Sequence, residues 1–262
     1  MTALSIGKAW EETVAFVKRE GQLLFPVGLL FLAIPFAILL QMIPAGYLHV
    51  TPGGTAKLPP LPGAVQVAII VTVIITLIGT LTLYALALKP GISVAEAIRL
   101  GVHRLPVLVG ASALVALGYL LAVVILSLIA GMLSIAIGPN VAVTLVLVIV
   151  LPLMIFVAAR LMLLNAVVVN SQAGVIPSLK TAWALTAGTV WRLLGFLIVL
   201  VMLTTILQMA VQGVFGTIGA LIGGPQAGQA TADVAVAACS GVVQVYFLVM
   251  TARIYRQLQP AE

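Results

Sequence analysis

Charge is what this sequence has least of. Only 7% of its 262 residues are charged and 63% are hydrophobic, against about 25% and about 45–50% in ordinary soluble domains. Twelve Lys and Arg with six Asp and Glu are too few to build the polar shell that a water-soluble domain of this length requires. A soluble fold is therefore excluded, and lipid must solvate most of the surface. Cysteine is nearly absent as well. With Cys239 alone no disulfide can form within one chain, and its Ala-rich apolar setting reads as a small packing residue. Carboxylates are missing from the middle of every apolar run. Asp233 stands at the start of the last run, and Glu11, Glu12, Glu20 and Glu96 lie between runs, which argues against an intramembrane proton relay. The two histidines, His49 and His103, fall in connections expected on opposite faces of a membrane. With no Gly-rich loop leading to a Lys, no paired carboxylates and no Cys cluster, an enzyme is the least supported class, and no metal or cofactor is expected.

What the sequence does hold is a series of apolar runs, at 23–43, 64–88, 106–133, 141–159, 193–220 and 231–251. Each is long enough, at about 20 residues, to cross a hydrocarbon layer of about 30 Å. The expected fold is an all-α integral membrane protein with six transmembrane helices. A Pro- and Gly-rich stretch at 44–63, Gly138-Pro139-Asn140 and Gly223-Gly224-Pro225-Gln226 read as turns between them. The first run is too long for the apolar core of a secretory signal, so the N-terminal helix is expected to be retained. Pro26, Pro35 and Pro152 lie within or beside spans, where neighbouring helices satisfy the freed carbonyls.

The basic residues set an orientation. Lys8, Lys18 and Arg19 precede the first span; Lys89, Arg99 and Arg104 join the second to the third; Arg160, Lys180 and Arg192 join the fourth to the fifth; Arg253 and Arg256 close the tail. That places eleven of the twelve on one side, with Lys57 alone on the other. Such a bias in short loops puts both termini and both basic connections in the cytoplasm. The same clusters favour anionic lipid headgroups over nucleic acid as partner. A membrane-protein partner is the other candidate.

The basic connections also repeat. Ser5-Ile6-Gly7-Lys8-Ala9-Trp10, Ser93-Val94-Ala95-Glu96-Ala97-Ile98 and Ser178-Leu179-Lys180-Thr181-Ala182-Trp183 share a pattern and start 88 and 85 residues apart. Apolar residues continue at helical spacing through Ile6, Trp10, Val14 and Val17; Val94, Ile98, Val102 and Leu105; and Leu179, Trp183, Ala187 and Val190. Ser93 with Glu96 has the form of a capping box, and Pro177 before Ser178 marks a helix start. The single membrane domain, 1–262, thus reads as three copies of one unit at 1–90, 91–172 and 173–262. Each copy is a helical hairpin preceded by a cytoplasmic amphipathic helix. The second and third end alike, in Ala159-Arg160-Leu161 and Ala252-Arg253-Ile254, the first in Ala87-Leu88-Lys89.

Arg160 and Arg253 interrupt apolar helices, and with Arg192 and Arg104 are the candidate contacts for an anionic headgroup or phosphate. The plainer alternative is an anchor whose guanidinium snorkels to the interface. Trp10, Trp183 and Trp191 are the candidate interface anchors, with Tyr255 nearby. Asn165 and Asn170 are candidates to line a cytoplasmic-side pocket beside Arg160, with helix capping and loop hydrogen bonding explaining them equally well. Gln66, Gln208, Gln212 and Gln244 call for interhelical hydrogen bonds, and Gly213, Gly216, Gly219 and Gly223 for close helix approach.

From Ala159-Arg160-Leu161 through Ser178-Leu179-Lys180-Thr181-Ala182-Trp183-Ala184-Leu185-Thr186-Ala187-Gly188 to Trp191-Arg192-Leu193-Leu194, the chain resembles a family of bacterial inner-membrane proteins. That family includes the YciC-like proteins and the membrane domain attached to some glycerophosphodiester phosphodiesterases. The family's Pro and acidic residue between the Arg and the Ser are replaced here by residues 165–174. The resemblance implies a cytoplasmic-membrane protein concerned with lipid metabolism or envelope upkeep, and the phosphodiesterase activity is not carried over. Non-enzymatic binding of lipid or protein in envelope or lipid homeostasis is the leading expectation. A small transporter or flippase-like protein for a lipid or amphiphile is the alternative, and it requires a polar cavity reaching the midplane.

The orientation has a direct test. In a Cys239→Ser background, Lys57→Cys, Gly138→Cys and Gln226→Cys should react with a membrane-impermeant thiol reagent in intact cells, whereas Lys8→Cys, Arg99→Cys and Lys180→Cys should not. Labelling at position 99 without lysis contradicts the assignment.

Overall fold

A computed structural model describes residues 5–43, 60–171 and 173–259. The connection expected to carry His49 and Lys57 lies outside them. Among the described residues all regular structure is helical, in α1 (Ile6–Gly28), a π-helical turn (Leu29–Ala33), α2 (Ile34–Met42), α3 (Gly63–Leu88), α4 (Val94–Ile137), α5 (Pro139–Leu161), α6 (Leu164–Asn170), α7 (Val175–Leu185) and α8 (Val190–Leu258). Five helical paths among the described residues are long and apolar enough to cross a membrane: Ile6–Met42, Gly63–Leu88, Val94–Ile135, Thr144–Asn170 and Val190–Leu258. The last contains a break, so the fifth and sixth expected spans are its two arms, 190–223 and 225–258.

The break has a local cause. Gly224 takes φ 81° and ψ −179°, a conformation open to glycine, and Pro225 restarts the helix without needing an amide partner. The same device separates α4 from α5, where Gly138 at φ 84° and ψ 151° is followed by Pro139. In the first path, Pro26 and Pro35 bracket the π turn, each removing an amide from the hydrogen-bond ladder.

Two expected boundaries vanish. The segment after Ser5 runs on into the first span and the segment after Ser93 into the third, because neither Gly21 nor Pro106 suffices to stop an otherwise helical sequence. Only α7 is separated from its span, by the turn at 186–189. Ser93 makes the expected capping box with Glu96, and Ser5 accepts from the Lys8 amide. Ser178 does not cap. The helix begins a turn earlier, at Val175 after Gly174, and Ser178 is buried inside it.

Burial is concentrated where three helix ends meet. Leu81 to Leu88 at the end of α3, Leu163 to Val169 around α6, and Leu248 to Tyr255 near the end of α8 supply most of the core. Tyr84 and Thr251 share a buried hydroxyl–hydroxyl hydrogen bond of 2.6 Å across it, worth about 1 kcal/mol net. The region after Arg160 is thus a buried apolar helix rather than a cytoplasmic loop. Elsewhere the surface is hydrocarbon-like, with Ile135, Leu147, Val199, Met209 and Leu221 exposed.

Small residues permit the closest approaches. The arms of α8 meet where a methyl at Gly219 would lie 2.9 Å from the Ala227 carbonyl oxygen, and one at Gly228 would lie 2.8 Å from that of Gly216. Gly213, grouped with them by spacing, faces open space. Gly219→Ala should therefore destabilise the chain by about 1–3 kcal/mol through overpacking, while Gly213→Ala should leave it unchanged. Thermal unfolding in detergent checks the pair, and equal effects would refute the packing assigned to Gly219.

Candidate functional site

One stretch of the core rim gathers cations from three parts of the chain. A cavity of about 300 Å³ is lined by Phe16, Arg19 and Glu20 of α1, by Leu86, Ala87 and Lys89 to Ile92 at and beyond the end of α3, and by Arg253 and Arg256 of α8. Arg253 and Arg256 share a helix face, being three residues apart. The Arg253 guanidinium carbon lies 4.5 Å from the centre of the Phe16 ring, a cation–π contact worth about 0.5–2 kcal/mol. Its Nε is shut off from solvent and has no hydrogen-bond partner. Arg256 donates from Nη2 to the Leu88 carbonyl at 2.6 Å. That carbonyl belongs to the last turn of α3, where helix carbonyls lack intrahelical donors and the dipole favours a cation. Arg19 and Arg256 repel Arg253, and Glu12 offsets part of that repulsion. The remaining carboxylate, Glu20, accepts from Arg19 Nε at 3.0 Å in an exposed pair of little energetic weight.

Arg160 is held differently. Its guanidinium lies 4.9 Å from the Trp183 ring and 5.5 Å from the Phe156 ring. Nη1 donates to the Trp183 carbonyl at 3.2 Å, and the Thr186 hydroxyl donates to the Arg160 carbonyl at 3.1 Å. Arg160 thereby ties the end of α5 to α7, the geometry of a structural clamp. Asn165 and Asn170 do not join it. Asn170 reaches across to the Tyr255 hydroxyl, 3.2 Å away, linking α6 to α8. No protein-family model, curated protein or solved structure matches this chain. Its chemistry must be read from its own geometry.

Of the other candidate contacts, Arg104 is half-buried, with its Nε sealed and unpartnered, and Arg192 is exposed beside Trp191. Neither belongs to the cavity around Arg253. Trp10, Trp183 and Trp191 are all outward-facing, at 49%, 42% and 81% exposure. Trp10 and Phe25, both on α1, each meet the Tyr246 ring obliquely at 6.2 Å. Gln208 bonds Ser240 at 2.9 Å between the arms of α8, as its place in a span requires. Gln66 instead bonds back to the Leu61 carbonyl at the start of its own helix. His103 lines an open groove of about 1050 Å³ with Lys89, Glu96 and Arg99. Among the described residues no group of three His, Cys, Asp or Glu side chains assembles.

Two further cavities lie along the spans. One, about 630 Å³, includes Gln41, Phe215, Thr231 and Cys239; the other, about 390 Å³, runs from Val115 and Tyr119 to Lys180 and Trp183. Both are walled mainly by apolar side chains.

Sequence reasoning singled out Arg253 but not Arg256, Lys89 or Arg19 as its companions. The three-residue spacing of Arg253 and Arg256 was the available signal; the meeting of α1 with the ends of α3 and α8 was not.

The Arg160 clamp predicts coupling. In a double-mutant cycle of Arg160→Gln and Trp183→Phe, unfolding free energies should be non-additive by about 0.5–2 kcal/mol, and Arg160→Lys should recover only part of the loss. Strict additivity contradicts the clamp.

Proposed function

We propose that this chain is a non-enzymatic, multi-pass protein of a bacterial cytoplasmic membrane that binds anionic lipid at its cytoplasmic end, with both termini in the cytoplasm. The observation that carries the reading is the cavity at the rim of the core, where Arg19, Lys89, Arg253 and Arg256 converge from distant parts of the sequence on a chain with only twelve Lys and Arg. Basic side chains close to an anionic leaflet contribute about 1 kcal/mol each. Their convergence beside a large hydrocarbon-like surface fits a lipid headgroup. A role in envelope or lipid homeostasis, as in the YciC-like family, accords with this, and a membrane-protein partner would use the same exposed apolar faces. Transport of an amphiphile has less support, since the two cavities along the spans are walled mainly by apolar groups.

The reading includes three copies of one unit, each an amphipathic segment followed by a hairpin of spans. Four features support it. Ala9, Ala97 and Ala182, at the same offset in each copy, are all fully buried. Four residues on, Thr13, Gly101 and Thr186 are buried too. The turn Gly138-Pro139 recurs as Gly224-Pro225, 86 residues later. Finally, Arg160 at the end of the second copy packs on Trp183 in the third, and Arg253 at the end of the third packs on Phe16 in the first. The side each segment turns to the protein runs through Ala9 and Thr13, one position round from the stripe through Trp10 and Val14. Trp10 and Trp183 are thereby left outward, as members of a cytoplasmic collar at the bilayer surface.

Lipid extracted from chain purified under mild conditions should be enriched in anionic species over the source membrane, and the enrichment should fall on washing at high ionic strength. Co-purified lipid with the composition of the bulk membrane would count against the proposal.

A further inference from the structure

We infer that the cavity bounded by Arg19, Lys89, Arg253 and Arg256 is a binding site for a phosphate monoester group, carried by a lipid or free in solution. The inference rests on the anionic-lipid reading above and narrows it to one site and one headgroup chemistry. Charge is the first argument. Four cations and one carboxylate line the cavity, and the carboxylate, Glu20, is already engaged by Arg19. A phosphodiester headgroup carries a single negative charge and leaves most of that excess uncompensated. A terminal phosphate carries about 1.5–2 negative charges at neutral pH and offers three acceptor oxygens.

Pre-organisation is the second argument. The Phe16 ring holds the Arg253 guanidinium in place, and the Leu88 carbonyl holds that of Arg256. Neither has to be ordered when an anion arrives, and a planar guanidinium fork matches phosphate oxygens in pairs. The third argument is an unmet demand. The sealed Nε of Arg253 donates to nothing, while Arg256 and Arg19 stand near enough to repel its charge, a repulsion that Glu12 offsets only in part. An anion among the three relieves that repulsion. Size and wall character complete the case: about 300 Å³ lies at the small end of ligand sites, and the lining also includes Leu24, Leu86 and Ile92. That suits a compact phosphate head whose apolar remainder continues along the helices.

The test uses the full chain in phosphatidylcholine nanodiscs, doped with a minor fraction of either phosphatidic acid or phosphatidylglycerol, with bound lipid read by native mass spectrometry. Inorganic phosphate is titrated in a separate arm. Phosphatidic acid should be retained in preference to phosphatidylglycerol. Arg253→Gln should reduce retention by about tenfold or more, the loss expected of one charge-assisted contact. Because Arg253→Gln could also disturb packing on Phe16, a second variant joining Arg19→Gln, which is exposed, with Lys89→Gln, which is half-buried, should produce a comparable loss, and Lys180→Gln, outside the cavity, should produce none. Displacement of phosphatidic acid by inorganic phosphate at low concentration would identify free phosphate as the better occupant of the same site; retention in its presence identifies the lipid. Equal retention of phosphatidic acid and phosphatidylglycerol overturns the monoester assignment while the anionic-lipid reading stands. Retention of phosphatidic acid unaffected by the Arg253, Arg19 and Lys89 changes overturns the site but not that reading. Retention of neither lipid, with no response to phosphate, overturns both.

Discussion

Two apolar helix surfaces gain little by leaving hydrocarbon for each other, so helices in a bilayer hold together only where backbones come close or polar groups meet. This chain meets that constraint at a few points. A side-chain carbon on Gly79 would collide with Phe31, one on Gly28 with Val245, and one on Gly241 would lie 2.9 Å from the Cβ of Ala33. Those contacts bring the N-terminal path onto both α3 and the last arm of α8. Because α3 and α8 are drawn to the same partner, their ends meet, and the Tyr84–Thr251 hydrogen bond forms between them.

The meeting of helix ends has an electrostatic consequence. Carbonyls at a helix C-terminus lack donors and present the negative end of the dipole. Arg256 answers the Leu88 carbonyl, and Asn170 reaches Tyr255 from the end of α6. A cation is thus required at the core rim for the fold itself, and Arg253, Lys89 and Arg19 stand around it. The proposed affinity for a phosphate headgroup arises from the same arrangement: a basic rim assembled to close the fold also leaves guanidinium groups fixed, crowded and short of acceptors.

Hydropathy made the spans legible because transfer to lipid depends on the side chains of a segment more than on its neighbours. Gly138-Pro139 and Gly224-Pro225 were legible because their breaks are built into two adjacent residues. The burial of α6 was not, since 164–170 is too short to register as a span and contains polar Asn165 and Asn170. Which face of the segments after Ser5 and Ser178 turns inward was not legible either, for a related reason. Large apolar residues such as Trp10 and Trp183 dominate a periodicity count, yet close packing prefers the Ala and Thr beside them. Arg253 was recognisable as an intrusion into an apolar helix. Its ring partner Phe16 lies more than two hundred residues away in sequence, and nothing local announces it.

Closure of the chain's end on its beginning is the contact from which the core and the basic rim both follow. Oxidative cross-linking tests it most directly, using Gly28→Cys with Val245→Cys, whose Cβ atoms would lie 3.9 Å apart, in a Cys239→Ser background in membranes. A Cβ at Gly216 would lie 3.6 Å from that of Ala232, so Gly216→Cys with Ala232→Cys serves as the reference pair, within the Cβ separation of about 3.5–4.5 Å that a disulfide needs. The account predicts that both pairs cross-link on mild oxidation; a 28/245 pair that stays reduced while 216/232 closes would contradict it.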